Sequence, residues 1–492
     1  MVGAAGAGAS AAALLAAEAG ALVTGCDAGG PSPYSPAVEA AGIALDWAHS
    51  ASHVTRAPRP ERLAVTKALT AVAPNHPELE AARAAGIPVE PWQQVIADAA
   101  VDRRLVAVAG THGKSTTAGW LVHVLVTAGA DPSAFVGALL PGAMTGGLPS
   151  TARRGAGQAF VVEADEYAGN FDPYRPEVTV LTSAEWDHPD VFADRAAVVD
   201  CFAAWLRRNG GRQPVLIANV ADPGVTAVLE QLRDWHGLVI GTWLLDGASR
   251  PQDRRAAEIR ERFATAAGPA QALIGRVTSA GPEGTALEIT GSIRGLRGSA
   301  LELRLRLAGR HNAANALGVA GAALALGLDP RSVAGGLAGF GGVGRRLERK
   351  GEGKGVVVYD DYGHHPTAIR ETLAAIRQLE PGRRVWAVYE PLTYHRTAAM
   401  LAEFAEVLAT ADAVAIADIW ASRDPDTTIT SAAALAEATG RLRPGLVSEA
   451  PGSVEATAAW LAGAVRTGDA VLVMGGGKSY RIAELLVEAL NR

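Results

Sequence analysis

LVAVAGTHGKST, residues 105–116, decides the fold. Leu105 to Ala109 is a short, wholly apolar run of the kind that forms a buried strand. Gly110–Thr111–His112–Gly113–Lys114–Ser115–Thr116 follows as a loop, and a helical pattern starts at Thr117. A strand that passes through a glycine-bearing turn into a helix aims backbone N–H groups and a helix N-terminus at an anion. Lys114 adds a point charge, and Ser115 a hydroxyl suited to magnesium. The glycines are separated by two residues, not by the four of the commonest phosphate loop, so the strand–loop–helix context, more than the GKS tripeptide, predicts nucleotide binding.

The same punctuation recurs outward from this stretch. Short Val/Ala/Leu/Ile runs end at Gly, Asp or Asn and lead into helical patterns, which makes the chain α/β with parallel sheets. At 492 residues it is long enough for about three domains at roughly 100–200 residues each. Breaks at the polar Asp98–Arg104 stretch and at Asp329–Pro330 divide it into 1–100, 101–328 and 329–492. The first module holds a strand-like Ala21–Thr24 and a turn into the helix carrying Ala81 to Ala85. In the last, Val356–Tyr359, Val385–Tyr389, Ala413–Ala417 and Val471–Met474 read as parallel strands. Residues 250–267, charged and Ala-rich, read as an exposed helix or insertion.

Two further central strands end in charge. Phe160–Val162 leads to Glu163–Ala164–Asp165–Glu166, and Val178–Thr182 leads to Glu185–Trp186–Asp187–His188. Strand ends of a parallel sheet share one edge, so Ser115, Glu163 and His188 are expected to converge on a metal-bound phosphate.

Composition narrows the class. Lys+Arg of 45 against Asp+Glu of 51 gives a net charge of −6 with no long run of one sign, which argues against nucleic acid as a partner. Cys26 and Cys201 form no CxxC pair, which argues against a disulfide framework and against zinc, and fits a reducing cytoplasm. The Ala-rich start lacks a basic flank and carries Glu18, unlike a signal peptide, and no window is apolar enough to span a membrane.

The ordered words GTHGKST (110–116), EADE (163–166), DHPD (187–190), GRHNAAN (309–315), GVGRR (342–346) and DDYGHHPT (360–367) resemble the Mur ligases, specifically their MurC/Mpl branch. The resemblance implies an N-terminal Rossmann-like UDP-binding domain, a central P-loop ATPase-like domain and a Rossmann-like C-terminal domain. It implies ATP and Mg2+ as cofactors, and a cytoplasmic enzyme with small-molecule substrates, no nucleic acid or membrane partner, and a monomeric or weakly dimeric state. ATP would phosphorylate the lactyl carboxylate of UDP-N-acetylmuramate, and an amine would attack the acyl phosphate. Lys114, Glu163, His188 and His364 are then the catalytic candidates, and Asn312, Asn315, Arg346 and Asp361 join the loop in binding ATP. Asn312 has N-capping as its alternative, and whether Arg345 or Arg346 reaches ATP stays open. Reach from the third module implies a hinge near Leu328. Ala197–Leu206 holds no lysine to carry a carbamate, so metal ligation by unmodified side chains is expected.

Gly3, Gly6, Gly8, Ser10 and Asp27 imitate a dinucleotide fingerprint, for which an NAD-dependent oxidoreductase is the rival reading, but Ala5 replaces the middle glycine. In the resembling family this turn holds the UDP diphosphate. Only Met1 and Val2 precede Gly3, so the strand that should deliver the loop is expected to be missing upstream. The amine acceptor is expected beside His364, His365 and Arg396, with one of the adjacent histidines facing it. Relatives of the L-alanine-adding type carry a second arginine where Thr393 stands, whereas EADEY and Trp186 to Phe192 look more like the ligase that attaches a preformed murein tripeptide. L-alanine is the expected acceptor and the tripeptide the alternative; a nucleotide-binding paralogue without activity is a third reading. Lys114→Ala is expected to abolish turnover with the fold intact, the lysine lying in an exposed loop.

Overall fold

The computed structural model describes residues 1–211, 213–245, 252–293, 295–421, 424 and 426–492. Its centre is a ten-stranded sheet in which Arg104–Ala109 lies between Val178–Leu181 and Ala159–Ala164, all parallel. These runs are almost completely buried because helices cover both faces. Lys114–Thr127 and Arg310–Ala325 pack together on one face, around Trp120, Val124 and Leu317. The opposite face buries Phe160, Phe202 and Trp205.

The helix Pro330–Gly339, capped by Asp329, contributes Val333 and Leu337 to the central core, which also takes in Phe340 and Val343. The expected break at residue 329 thus falls ahead of a helix whose apolar face belongs to the central layer, and packing changes hands between Val343 and Glu348. The C-terminal sheet runs Glu348–Gly353, Val356–Asp361, Asp469–Gly475, Arg384–Glu390, Ala413–Ala417, Ser448–Gly452, parallel except for its first strand. Strand order reverses around Asp469–Gly475, which puts Asp361, Glu390 and Gly475 at a crevice.

In the N-terminal part, Thr24–Cys26 pairs with Ala44–Asp46, and Leu63–Val65 with Val89–Pro91. Val2 joins the two pairs, bridging Cys26 and donating its N–H to the Ala64 carbonyl at 2.9 Å. The strand expected at Ala21–Thr24 begins instead at Thr24, and Leu22 is 86% exposed. Gln252–Arg262 is a helix, as its charge pattern suggested; residues 250 and 251 lie outside the described residues. Among the described residues no helix is long and apolar enough to cross a membrane.

Gly8 lies in the helix Ala7–Glu18, where a Cβ would overlap the Trp92 ring. Gly8→Ala is expected to destabilise the chain by about 1–3 kcal/mol through overpacking, read from urea unfolding; an unchanged midpoint would mean that this helix and the helix Trp92–Ala99 can move apart freely.

Candidate active site

The phosphate loop is shaped by two left-handed glycines. Gly110 has φ 130° and Gly113 φ 79°; a Cβ on the first would overlap Thr182 Oγ1, and on the second would come within 2.8 Å of Asn315 Oδ1. The loop therefore fits between the end of Val178–Leu181 and the start of Arg310–Ala325. His112 N–H donates to Ser183 Oγ at 2.9 Å, and Thr111 Oγ1 donates to the Glu185 carbonyl at 3.0 Å. Thr116 is buried in the first turn of the helix.

Lys114 is not an exposed loop lysine. Its side chain is 13% exposed, with Nζ 3.0 Å from Glu166 Oε2 and 3.3 Å from Asp165 Oδ1. Burial opposes its charge, but the carboxylates of Glu166, Asp165 and Glu163 outweigh that and hold the ammonium above its usual range.

Ser115 Oγ donates to Glu163 Oε1 at 2.9 Å, and Gly137 N–H donates to Glu163 Oε2 at 2.6 Å. A Cβ at Gly137 would press on this carboxylate at 2.9 Å, so glycine is what permits the approach. His188, expected with Ser115 and Glu163, instead clusters with Asp165 and Glu166, one candidate ligand atom of each lying within 4.8 Å of the others. The three expected metal residues thus fall into two neighbouring groups, separated because His188, at φ 56°, is drawn toward Arg396.

Arg346 and Arg345 part company. Arg346 Nη2 donates to Ser115 Oγ at 2.9 Å, and its Nε is buried without a partner among the described residues. Arg345 turns into its own sheet, with Nε 3.1 Å from Asp360 Oδ2 and Nη2 2.9 Å from both the Gly475 carbonyl and Ser479 Oγ. Asp361 accepts from Leu347 N–H and Gly363 N–H, each at 2.7 Å, so it braces the loop that carries Arg346. Asn312 is not an N-cap, since Gly309 holds that position; its Nδ2 donates to the Ala308 carbonyl at 2.7 Å, and Asn315 Nδ2 lies 3.4 Å from its Oδ1.

On the other side of Lys114 is a buried ion pair. Arg396 and Asp187 are each 4% exposed, with Nη2 2.6 Å from Oδ1, and the same Nη2 donates to His188 Nδ1 at 3.1 Å. Burial works against the Asp187 charge, yet Arg396 and the nearby histidines hold its carboxyl well below the usual range. Arg396 Nε and Nη1 are buried with no partner among the described residues. Thr393, at φ 62°, caps the helix Tyr394–Ala399 that carries Arg396 and donates its N–H to the Trp420 carbonyl at 3.0 Å. Thr393, where the family resemblance led to the expectation of a second arginine, is therefore a strained cap, and an arginine there would remove the cap.

The adjacent histidines point apart as expected. His364 Nδ1 is 2.9 Å from the Tyr362 carbonyl; desolvation, then the Arg396 guanidinium, keep its pKa well below the normal value. His365 faces the central domain: its ring lies 4.4 Å from that of His112, and its Nε2 is 3.2 Å from the Trp186 carbonyl. Its Nδ1 accepts from Thr367 N–H at 3.2 Å, which caps Pro366–Leu379. Glu185 completes the joint, accepting from Thr367 Oγ1 at 2.8 Å and lying 3.1 Å from His112 Nε2.

Desolvation, then His112, push the His365 pKa down to about 4 from 6.5. The unfolded chain binds this proton more readily, so the neutral ring's contribution is intact above pH 6.5 and is lost as pH falls toward about 4. His365→Gln is expected to give an unfolding free energy that declines less steeply over that window, measured by urea titration at neutral pH and about pH 5. An unchanged slope would assign the acid sensitivity elsewhere.

At the N-terminal turn, Gly3 (φ 78°) and Gly6, the cap of Ala7–Glu18, shape the loop. Asp27 braces it, accepting from Ala5 N–H at 3.1 Å and Gly29 N–H at 2.8 Å. Ser10 does not face this turn: it is 1% exposed, with Oγ 3.1 Å from Thr151 Oγ1 in the central sheet. Gly8, against Trp92, is likewise a packing position. Sequence reasoning did not single out Asp165, Glu166 and Glu185 as site residues, although they stand in the charged words it quoted; nothing in the sequence marked Gly137.

Residues 1–104 match the family model for the Mur ligase family, catalytic domain; residues 108–323 match the Mur ligase middle domain and 345–477 the Mur ligase, glutamate ligase domain. The chain is 38% identical to a UDP-N-acetylmuramate--L-alanine ligase of Kineococcus radiotolerans, over 97% of this chain and 93% of that protein. It is 34% identical to a ligase of the same name from Roseiflexus sp., over 100% and 99%. Its fold is similar to the crystal structure of UDP-N-acetylmuramate-alanine ligase from Thermotoga maritima, with TM-score 0.74 and 22% identity over 99% of this chain and 97% of that one. It is also similar to a murein peptide ligase from Psychrobacter arcticus, with TM-score 0.71 and 23% identity over 100% and 98%.

Proposed function

Because the chain belongs to the Mur ligase family, we propose that it joins the amine of L-alanine to the lactyl carboxylate of UDP-N-acetylmuramate, with ATP cleaved to ADP and phosphate, in peptidoglycan precursor synthesis. Relatives of that name at 34–38% identity over nearly the whole chain support the reaction. The observation that carries the acceptor is Arg396: a buried guanidinium with Nε and Nη1 unpartnered fits a free α-carboxylate beside the attacking amine. In a preformed peptide that carboxylate is an amide, which offers the arginine a weaker acceptor.

The chain's own groups divide the work. Loop N–H groups and Lys114 cradle the phosphates, and Arg346 reaches the same place from the C-terminal domain. Asn312 and Asn315 would read the adenine edge, and the Gly3–Gly6 turn, braced by Asp27, would hold the sugar nucleotide's diphosphate. Ser115 and Glu163 offer hard oxygen donors that fit Mg2+, with His188, Asp165 and Glu166 as a neighbouring donor group. Magnesium, when bound, neutralises charge on the phosphate oxygens. ATP phosphorylates the carboxylate; the amine then forms the C–N bond as the C–O bond to phosphate breaks. His364, with Nδ1–H on the Tyr362 carbonyl, keeps a lone pair on Nε2 to take the proton that the amine loses. The enzyme acts in the cytoplasm, where ATP is available, as a monomer or weak dimer.

Phosphate release that requires UDP-N-acetylmuramate and an amine together tests this. L-alanine is expected to exceed L-alaninamide in kcat/KM by roughly 10- to 100-fold, the equivalent of one charged hydrogen-bonded contact. Faster turnover with the murein tripeptide than with any single amino acid would overturn the acceptor assignment.

A further inference from the structure

Next to the glycine turn of the N-terminal domain, His49 from a loop, His76 from a helix cap and Glu78 from that helix each offer a ligand atom within 4.8 Å of the others, and Cys26, at the end of a strand, lies against His49 and Glu78. Glu78 is fully buried, and Cys26 is 3% exposed. Cys26 Sγ lies 3.5 Å from His49 Nδ1 and spans both Glu78 oxygens, 3.1 Å from Oε1 and 3.3 Å from Oε2; Oε2 is 3.6 Å from His49 Nδ1 and 3.8 Å from His76 Nδ1. A tetrahedral zinc ion with one sulfur and three nitrogen or oxygen ligands has ligand–ligand edges of roughly 3.3–3.6 Å, from bond lengths of about 2.0–2.3 Å. His76 supplies an independent sign. It is 7% exposed, both its ring nitrogens lack a hydrogen-bond partner among the described residues, and one is aimed at Glu78.

We propose that Cys26, His49, His76 and Glu78 form a tetrahedral site for zinc or a similar borderline divalent cation. The other oxygen of Glu78 is held by His53 Nδ1 at 2.6 Å and Ser50 N–H at 3.1 Å, and Asp46 holds His53 Nε2 at 3.0 Å. This is the carboxylate–histidine support that orients metal ligands. One thiolate and one carboxylate balance the dication, so the loaded site is neutral in a buried place; the Cys26 thiol proton leaves to solvent as the metal–sulfur bond forms. His49, 24% exposed, opens the way in. The lack of a CxxC pair, which spoke against zinc, does not bear on ligands drawn from separate segments.

The test uses the full chain, freed of metal by a chelator and titrated with Co2+ without nucleotide, then with Zn2+ in competition. One Co2+ per chain should bring a thiolate-to-cobalt charge-transfer band and the strong visible bands of tetrahedral geometry, both displaced by Zn2+. Cation binding at oxygen-rich Ser115–Glu163 gives no thiolate band. Cys26→Ser should lose that band and Cys201→Ser keep it; Asp46→Asn should weaken Co2+ binding by roughly tenfold, with circular dichroism confirming that each variant is folded. A folded parent chain that shows no thiolate band, or a band that survives in Cys26→Ser, overturns the proposal and leaves a hydrogen-bonded cluster around Glu78.

Discussion

Lys114→Ala is expected to lower kcat for phosphate release by at least roughly 100- to 1,000-fold, the scale for removing one preorganised charge-stabilising donor. The buried pairing with Glu166 adds a second consequence absent from the reading of Lys114 as an exposed loop lysine. Removing the ammonium leaves the buried Glu166 carboxylate without its counter-ion, which typically costs about 3–5 kcal/mol for a buried pair broken from one side. The variant should therefore unfold at lower urea as well as turn over slowly. Lys114→Ala combined with Glu166→Gln should recover part of the stability and none of the turnover. A kcat within tenfold of the parent would sink the phosphate-loop assignment and favour a nucleotide-binding protein without ligase activity.

The second large effect is expected at Arg396. Arg396→Ala should raise the KM for L-alanine by roughly 10- to 100-fold while leaving KM for ATP nearly unchanged, because in the proposed function the guanidinium takes the acceptor carboxylate. It should also destabilise the chain by about 3–5 kcal/mol, since Asp187 is left buried and unpaired. Arg396→Lys separates the two consequences: a lysine can keep a charge near Asp187 but cannot present the same fork of N–H groups, so stability should largely return while the KM stays high. Equal KM values for L-alanine in Arg396→Lys and the parent would place the acceptor carboxylate elsewhere.

What the sequence disclosed was chiefly local. The phosphate loop and the strands Val356–Asp361, Arg384–Glu390 and Asp469–Gly475 are continuous apolar runs with glycine or acid at their ends, and a run buried on both faces has no choice of register to hide. Glu348–Gly353 and Ser448–Gly452, by contrast, are edge strands of charged, glycine and proline residues with no apolar pattern. They exist because a neighbouring strand offers them hydrogen bonds, which no local pattern records. The same limit explains the site. That Arg346 and not Arg345 meets Ser115 follows from Arg345 having Asp360 and the Gly475 carbonyl within reach, a fact about distant strands. Gly8 and Ser10 carry the spacing of a phosphate-binding turn, yet Trp92 and Thr151 claim them for packing.

The joint of His112, Glu185, His365 and Thr367 bears on how such a chain can be recombined. Gln378 extends that joint, receiving Gly309 N–H at 2.9 Å and donating to Thr285 Oγ1 at 3.1 Å. A crossover placed between Val343 and Glu348 divides no cluster of buried residues, and apart from Trp186, which packs on the C-terminal core, apolar packing would let a C-terminal domain from a distant relative graft there. The joint denies that freedom, because the grafted half must bring partners for His112 and Glu185 or leave both polar groups facing a mismatched wall. Hybrids of this architecture are thus compatible by side-chain lock, not by domain outline, and a parent pair sharing all four joint residues is the one to choose.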